Sequence, residues 1–306
     1  MSRILVTGGA GFLGRPTVTF LRAKGHDVTV VRSREYDLRD ARNIERVLTD
    51  ARPEVVVHLA AAVGGIGANA AEPARFFYDN ALMGIQLMHA AYSRGVRKFV
   101  TVGTVCEYPE FAQAPFGEDQ LWHGYPAPVT APYALSKKML LVQAQAYRQQ
   151  YGFDSIHLIP TNLYGPGDNF DVESGHVVPG LIAKFSAARE HGASLVRCWG
   201  SGTATREFIY INDAAWAIAL ATERYSGAEP VNIGTGVETP VRELAERIGE
   251  LYGFGPEALV WDTDRPDGTP RRQLDVSRAR DAFGFEAVVD LAAGLKLTSE
   301  WYEAQR

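Results

Sequence analysis

Tyr133 and Lys137 stand four residues apart in Tyr133-Ala134-Leu135-Ser136-Lys137, a spacing that sets both side chains on one face of a helix. An ammonium beside a phenol favours the phenolate, so the pair suits acid/base work near neutral pH. Such a pair recurs by chance on ordinary helix faces. Its setting makes it informative, because Thr104 precedes it at the end of a strand-like run, 99–102. A hydroxyl there could hydrogen-bond a carbonyl oxygen beside Tyr133; a bland strand-end threonine is the alternative. Far upstream, Gly8-Gly9-Ala10-Gly11-Phe12-Leu13-Gly14 joins a strand-like run to a helix-like one. Glycines at 8, 11 and 14 allow a tight turn, a close approach of backbone to a pyrophosphate and close helix–strand packing, with helix N–H groups facing the phosphates. After the second strand-like run, where NAD enzymes place a carboxylate for the ribose, this chain has Arg32-Ser33-Arg34. Guanidinium groups there pair with a 2′-phosphate, which favours NADP(H); two solvated surface arginines are the other reading. Asp37-Leu38 follows where a carboxylate could accept the adenine amino group, or simply start a turn.

These residues need a scaffold, and the pattern around them supplies one. Strand-like runs at 4–7, 28–31, 55–59, 99–102 and 156–159 alternate with helical spacing at 12–24, 40 to about 50, 72–93 and 132–151. Asp40 and Thr130 are placed to cap helices, Pro132 sits in a first turn, and Gly25 and Gly152 are stop signals. Alternation of this kind predicts an α/β fold, a doubly wound parallel Rossmann sheet with a smaller α/β substrate-binding lobe. The nucleotide-binding domain is expected over 1–165, completed by segments near 203–224 and 270–277, and the smaller lobe over 166–202 and 225–306. Scattered runs at 196–199, 208–211 and 231–233 belong to the looser second half.

Composition narrows the function. The 306 residues are 46% apolar and 22% charged, enough for one large or two modest domains with a real core. A net charge of −5 argues against nucleic-acid binding, so an anionic substrate must be met by local arginines and lysines. With only Cys106 and Cys198, a disulfide framework is not expected and a reducing compartment is. The uncharged stretch 55–71 holds His58, Asn69 and three glycines, which reads as a buried strand and turn, not a membrane span. The start MSRILVTGGAG runs directly into a strand and leaves no room for a signal peptide. A cytoplasmic enzyme without a metal site is the expectation.

The glycine spacing, G-x-x-G-x-x-G, and the Tyr133–Lys137 pair resemble the extended short-chain dehydrogenases, the NAD-dependent epimerase/dehydratase family. Narrower matches run along nearly the whole chain: His58-Leu59-Ala60-Ala61-Ala62-Val63-Gly64-Gly65-Ile66-Gly67-Ala68-Asn69, Pro160-Thr161-Asn162-Leu163-Tyr164-Gly165-Pro166 and Gly175-His176-Val177-Val178-Pro179. Trp199-Gly200-Ser201-Gly202, Arg206-Glu207-Phe208 and Pro266-Asp267-Gly268-Thr269-Pro270-Arg271 complete them. The resemblance implies an NADPH-dependent epimerase/reductase that converts a nucleotide-linked 4-keto-6-deoxyhexose, GDP-4-keto-6-deoxymannose favoured, to a 6-deoxy sugar nucleotide such as GDP-L-fucose. A plain 4-ketoreductase, or a redox-recycling epimerase on a dTDP- or UDP-sugar, is the runner-up. A redox-sensing NADP-binding regulator is a third class, against which intact Tyr133, Lys137 and Thr104 count.

By the same resemblance, Cys106 and His176 move protons at C3 and C5, while Tyr133 and Thr104 stabilise the enolate and Tyr133 protonates the reduced oxygen. Phe12, Leu13, Gly103, Pro160, Asn162, Leu163 and His176 join the cofactor set, and Lys137 holds the nicotinamide ribose. Lys184, Trp199, Arg206 and Asp267 face the nucleotide-sugar. His58 and Cys198 are read as structural. A homodimer through a four-helix bundle, built from 72–93 and 132–151, is also implied. Three departures stand out: Lys184 replaces an arginine, 255–259 lacks a basic residue, and Glu107 follows Cys106, where a carboxylate could raise the thiol's pKa.

Overall fold

The computed structural model describes all residues except Glu173 and residues 265–267. Its first half is β1 (Arg3–Thr7), α1 (Gly14–Ala23), β2 (Asp27–Val31), α2 (Ala41–Ala51), β3 (Val55–His58), α3 (Ile66–Ala71), α4 (Pro73–Ser93), β4 (Lys98–Val102), α5 (Ala131–Tyr151) and β5 (Asp154–Pro160). β6 (Asn162–Tyr164), α6 (Val177–Glu190), β7 (Val196–Trp199), β8 (Thr205–Tyr210) and α7 (Ile211–Arg224) follow. The chain ends with β9 (Val231–Ile233), β10 (Glu238–Pro240), α8 (Val241–Leu251), β11 (Leu259–Asp262), α9 (Ser277–Phe283) and α10 (Leu291–Ala304).

Six strands pair in the order β2-β1-β3-β4-β5-β9, each pair parallel. Side chains alternate across a strand, so Ile4 and Val6 enter one core and Leu5 the other. The first core receives Val18 and Leu21 of α1 and Ala214, Ala217 and Ile218 of α7. The second receives Ile44 and Val47 of α2, Leu87 and Met88 of α4, and Leu140 of α5. Helices on both faces explain why β3 and β4 are buried throughout. Each such Leu or Val contributes roughly 1.5–3 kcal/mol. β1 pairs with both β2 and β3, so chain order reverses there and opens a crevice at the carboxyl ends of the strands.

Two local expectations separate. Asp40 caps α2, its carboxylate accepting from the Arg42 amide. Thr130 does not cap α5: its backbone is already helical at φ −103°, ψ −3°, and its hydroxyl donates back to Ala127 O at 3.4 Å. Pro132 lacks the amide such a cap would serve nearby, and Gly152, at φ +67°, ends the helix.

The second lobe has a three-stranded sheet, β10-β8-β6, a β7/β11 pair, and a separate core from α6, α8 and α10. Its boundary differs from the sequence reading. β9 lies within 225–306 yet extends the parallel sheet beside β5, and Ala279 and Phe283 of α9 pack in the first core. A run of three residues carries too little pattern to declare its sheet. Buried Glu207 of β8 accepts from the amides of Thr235 (2.6 Å), Gly236 (2.9 Å) and Leu274 (2.6 Å), stitching these segments together. No helix of the described residues is long and apolar enough to cross a membrane.

Candidate active site

The crevice is a cleft of about 770 Å³. At one side, Gly11 N–H donates to Gly8 O at 2.9 Å and Gly8 sits at φ +70°. A Cβ on Gly8 would come within 2.6 Å of Ala60 N, and one on Gly14 would press into Gly8 O. The turn, the start of α1 and the strand end are therefore in contact, and a side chain at either glycine would separate them. Gly8, Gly11, Phe12, Leu13 and Gly14 all line the cleft, at a helix N-terminus suited to an anion.

Arg32, Arg34, Asp37 and Leu38 line it beyond β2. The Asp37 carboxylate is already held by Arg39, at 2.9 Å from Nε and 2.8 Å from Nη2, which keeps its pKa below the usual carboxylate range. Arg39 also reaches Asp79 Oδ2 at 3.4 Å. Both residues line the cleft, and both were missed in the sequence. Arginines beyond a glycine turn, with no carboxylate directly at the β2 end, fit a dinucleotide carrying an extra phosphate.

Gly103, Thr104, Tyr133 and Lys137 line the same cleft, with Pro160 and Leu163. Burial lowers the Lys137 ammonium to about 8, against the opposing charge of Glu107. Burial also raises the Tyr133 phenol, and the Cys106 and Glu107 charges raise it further. Burial is the largest cause of the Tyr133 shift, so its direction is set by desolvation. Tyr133 is a protonated phenol, fit to donate. His58 lies behind Lys137, its Nδ1 2.8 Å from Thr7 Oγ1, and burial with the Lys137 charge lowers it to about 3. It stays neutral and structural, and Cys198 is buried in the second core.

Thr104 caps the turn Val105–Glu107, its Oγ1 accepting from the Cys106 amide at 3.3 Å. Glu107, expected to bear on the thiol, is fully buried and binds the Thr104 amide and His157 instead. The half-buried Cys106 sulfur lies 3.5 Å from Arg272 Nη1. His176, at the start of α6, brings the smaller lobe into the same cleft. Its Nδ1 is 4.0 Å from Oδ1 of nearly buried Asp168, whose Oδ2 has no partner among the described residues. Arg272 and Asp168 are further residues the sequence did not reveal; each sits one or a few places beyond a quoted motif.

Other assignments fall elsewhere. Asn162 Nδ2 donates to Glu207 O at 2.8 Å and ties β6 to β8. Lys184 Nζ stands 4.7 Å above the ring of half-exposed Trp199, and burial lowers its pKa. Arg206 Nη1 donates to Thr205 O (2.7 Å) and Thr269 O (2.6 Å). Asp267 lies outside the described residues.

The sequence model of the NAD dependent epimerase/dehydratase family matches residues 4–234. GDP-L-fucose synthase 1 of Arabidopsis thaliana is 40% identical over 98% of this chain and 93% of its own length. A crystal structure of a GDP-6-OMe-4-keto-L-xylo-heptose reductase from C. jejuni superimposes with a TM-score of 0.90 at 27% identity, covering 100% of this chain and 98% of that one. A GDP-L-fucose synthetase from Naegleria fowleri, solved with NADP bound, gives 0.88 at 29% identity, over 99% and 94%.

Proposed function

The chain belongs to the NAD dependent epimerase/dehydratase family, and from that premise we propose an NADPH-dependent epimerase/reductase that converts GDP-4-keto-6-deoxymannose to GDP-L-fucose. One observation carries the reading: His176 of the smaller lobe lines the same cleft as the glycine turn, Thr104, Tyr133 and Lys137. Acid/base groups from both lobes thus meet where a dinucleotide fits.

Bound NADPH supplies the hydride that reduces the 4-ketone. The glycine turn and the first amides of α1 hold its pyrophosphate, Arg32 and Arg34 its 2′-phosphate, and Asp37 and Leu38 its adenine. Gly103, Lys137, Pro160, Leu163 and His176 hold the nicotinamide half, with Asn162 bracing β6 against β8 beside them. Lys184, Arg206 and Asp267 meet the nucleotide-sugar, with Trp199 as a flat surface.

The 4-ketone acidifies the hydrogens at C3 and C5. Cys106 and His176 exchange those protons, one group removing and the other returning a proton on the opposite face. Thr104 and Tyr133 donate hydrogen bonds to the enolate oxygen that forms in between. Tyr133 then gives its proton to the alkoxide produced by reduction, which suits a phenol whose pKa burial has raised.

The protein works, in this reading, as a cytoplasmic homodimer. Neither cysteine is in a disulfide. α4 and α5 pack together and expose Tyr78, Met139 and Val142, while Gln86 Oε1 and Gln143 Oε1 are buried without a partner among the described residues. A plain 4-ketoreductase is the second reading, favoured by the likeness to the C. jejuni reductase. Offering GDP-, dTDP- and UDP-linked 4-keto-6-deoxyhexoses with NADPH, and identifying products by NMR, tests the proposal. GDP-L-fucose from the GDP substrate supports it; a product inverted at neither C3 nor C5 removes the epimerase half.

A further inference from the structure

Thr104-Val105-Cys106-Glu107 has the spacing of a capping box, a hydroxyl residue followed three places later by a carboxylate. The fold closes the box: Glu107 Oε1 accepts from the Thr104 amide at 2.9 Å, while Thr104 Oγ1 accepts from the Cys106 amide. Capping boxes usually sit at exposed helix ends. This one serves a single 3₁₀ turn, and its carboxylate is fully buried. A buried carboxylate is costly unless its oxygens find donors. The other oxygen, Oε2, lies 3.1 Å from Nε2 of buried His157 on β5. His157 Nδ1 lies in turn 2.7 Å from Thr101 Oγ1 on β4. Gly103 leaves the room required, since a Cβ there would press into Glu107 Oε1 and come within 2.5 Å of His157 Nε2. From α5, Lys138 Nζ donates to the Glu107 carbonyl at 3.4 Å. β5 and α5 therefore grip one residue, with β4 behind His157, and the turn bearing Thr104 and Cys106 hangs from it.

The turn needs such an anchor. Three residues of 3₁₀ helix have little hydrogen bonding of their own to fix side chains. The Cys106 amide also fills a lone pair of the Thr104 hydroxyl, which keeps its single proton for an outside acceptor. Where that proton points depends on the turn.

We infer that Glu107, backed by His157, is a positioning residue: it sets the Thr104 hydroxyl and the Cys106 sulfur relative to Tyr133 without touching substrate. The inference rests on the roles proposed above for those three side chains.

Two conservative variants of the full-length protein separate position from charge. Glu107→Gln keeps the reach. Its carbonyl accepts from the Thr104 amide, and its amide donates to His157 Nε2 once the imidazole proton moves to Nδ1. Thr101 Oγ1 then accepts that proton's bond, with its own hydroxyl donating to Ile156 O at 3.0 Å. Glu107→Asp keeps the charge but is one methylene too short to hold both partners. Positioning predicts that E107D loses about tenfold in kcat, while E107Q stays within about threefold of wild type and KM changes by less than about threefold in both. The reverse order, or wild-type kcat in both variants, overturns the inference. Tyr133→Phe, run beside them, separates the levels: an active Y133F overturns the reading of the site itself, whereas an inactive one beside an unaffected E107D overturns only the role of Glu107.

Discussion

Lys137 carries its proton less tightly than an exposed lysine, because nothing buried beside it fully replaces the water it has lost. With its ammonium at about 8, the cation proposed to hold the nicotinamide ribose disappears as pH rises through that value. The free enzyme's kcat/KM for reduction therefore declines above pH about 8. Lys137→Met lowers activity at every pH and removes that decline; an identical alkaline limb in K137M would assign it to another group. Tyr133 does not produce the limb, since its phenol is raised and stays protonated there. At this scale the chemistry was partly legible. Tyr133, Lys137 and Thr104 announced themselves through short spacings at element ends. Glu107–His157, Arg272–Cys106 and Asp168–His176 did not, because each pair joins residues from different elements or from opposite ends of a loop. No local pattern records such a meeting; only the capping-box spacing at Thr104 and Glu107 was available, and its burial was not.

Elements place these groups through their ends. β1, β3 and β4 stop at the crevice, and α1 and α5 begin there, so one register of the sheet positions both the phosphate turn and the Tyr133–Lys137 pair. These strands were readable because they are unbroken apolar runs next to glycine turns. β9 was visible as a short run but not its place beside β5, and β10, three residues with a proline, was not visible at all. What fastens the second half to the first is less a strand than the Glu207 carboxylate. Glu207→Ala strands the buried Leu274 amide and loosens the half-buried amides of Thr235 and Gly236, and should destabilise the protein by on the order of 2 kcal/mol, read as a lower denaturation midpoint in urea. An unchanged midpoint would mean that water or a rearranged loop replaces those bonds.

For the whole molecule, α4 and α5, which cover one face of the sheet, turn Tyr78, Met139 and Val142 outward. Aromatic and aliphatic side chains exposed there, with buried amide oxygens lacking partners, suit a matching surface on a second copy. Light scattering should give a dimer for the wild type and a monomer for Val142→Glu, whose new charge would be desolvated at such an interface. A wild-type monomer removes the dimer. Thr104, Tyr133, Lys137 and His176 line the cleft of a single chain, so a second copy is not needed to bring them together.

Cys106 and His176 act before hydride transfer in this account, and Tyr133 acts in both stages. Turnover of GDP-4-keto-6-deoxymannose in D₂O, followed by NMR of the isolated product, reads both stages together. The prediction is deuterium at C3 and C5 of GDP-L-fucose with one NADPH consumed per product, and no deuterium at either carbon with Cys106→Ser. A product formed with NADPH consumption but without deuterium at C3 and C5 would contradict the account.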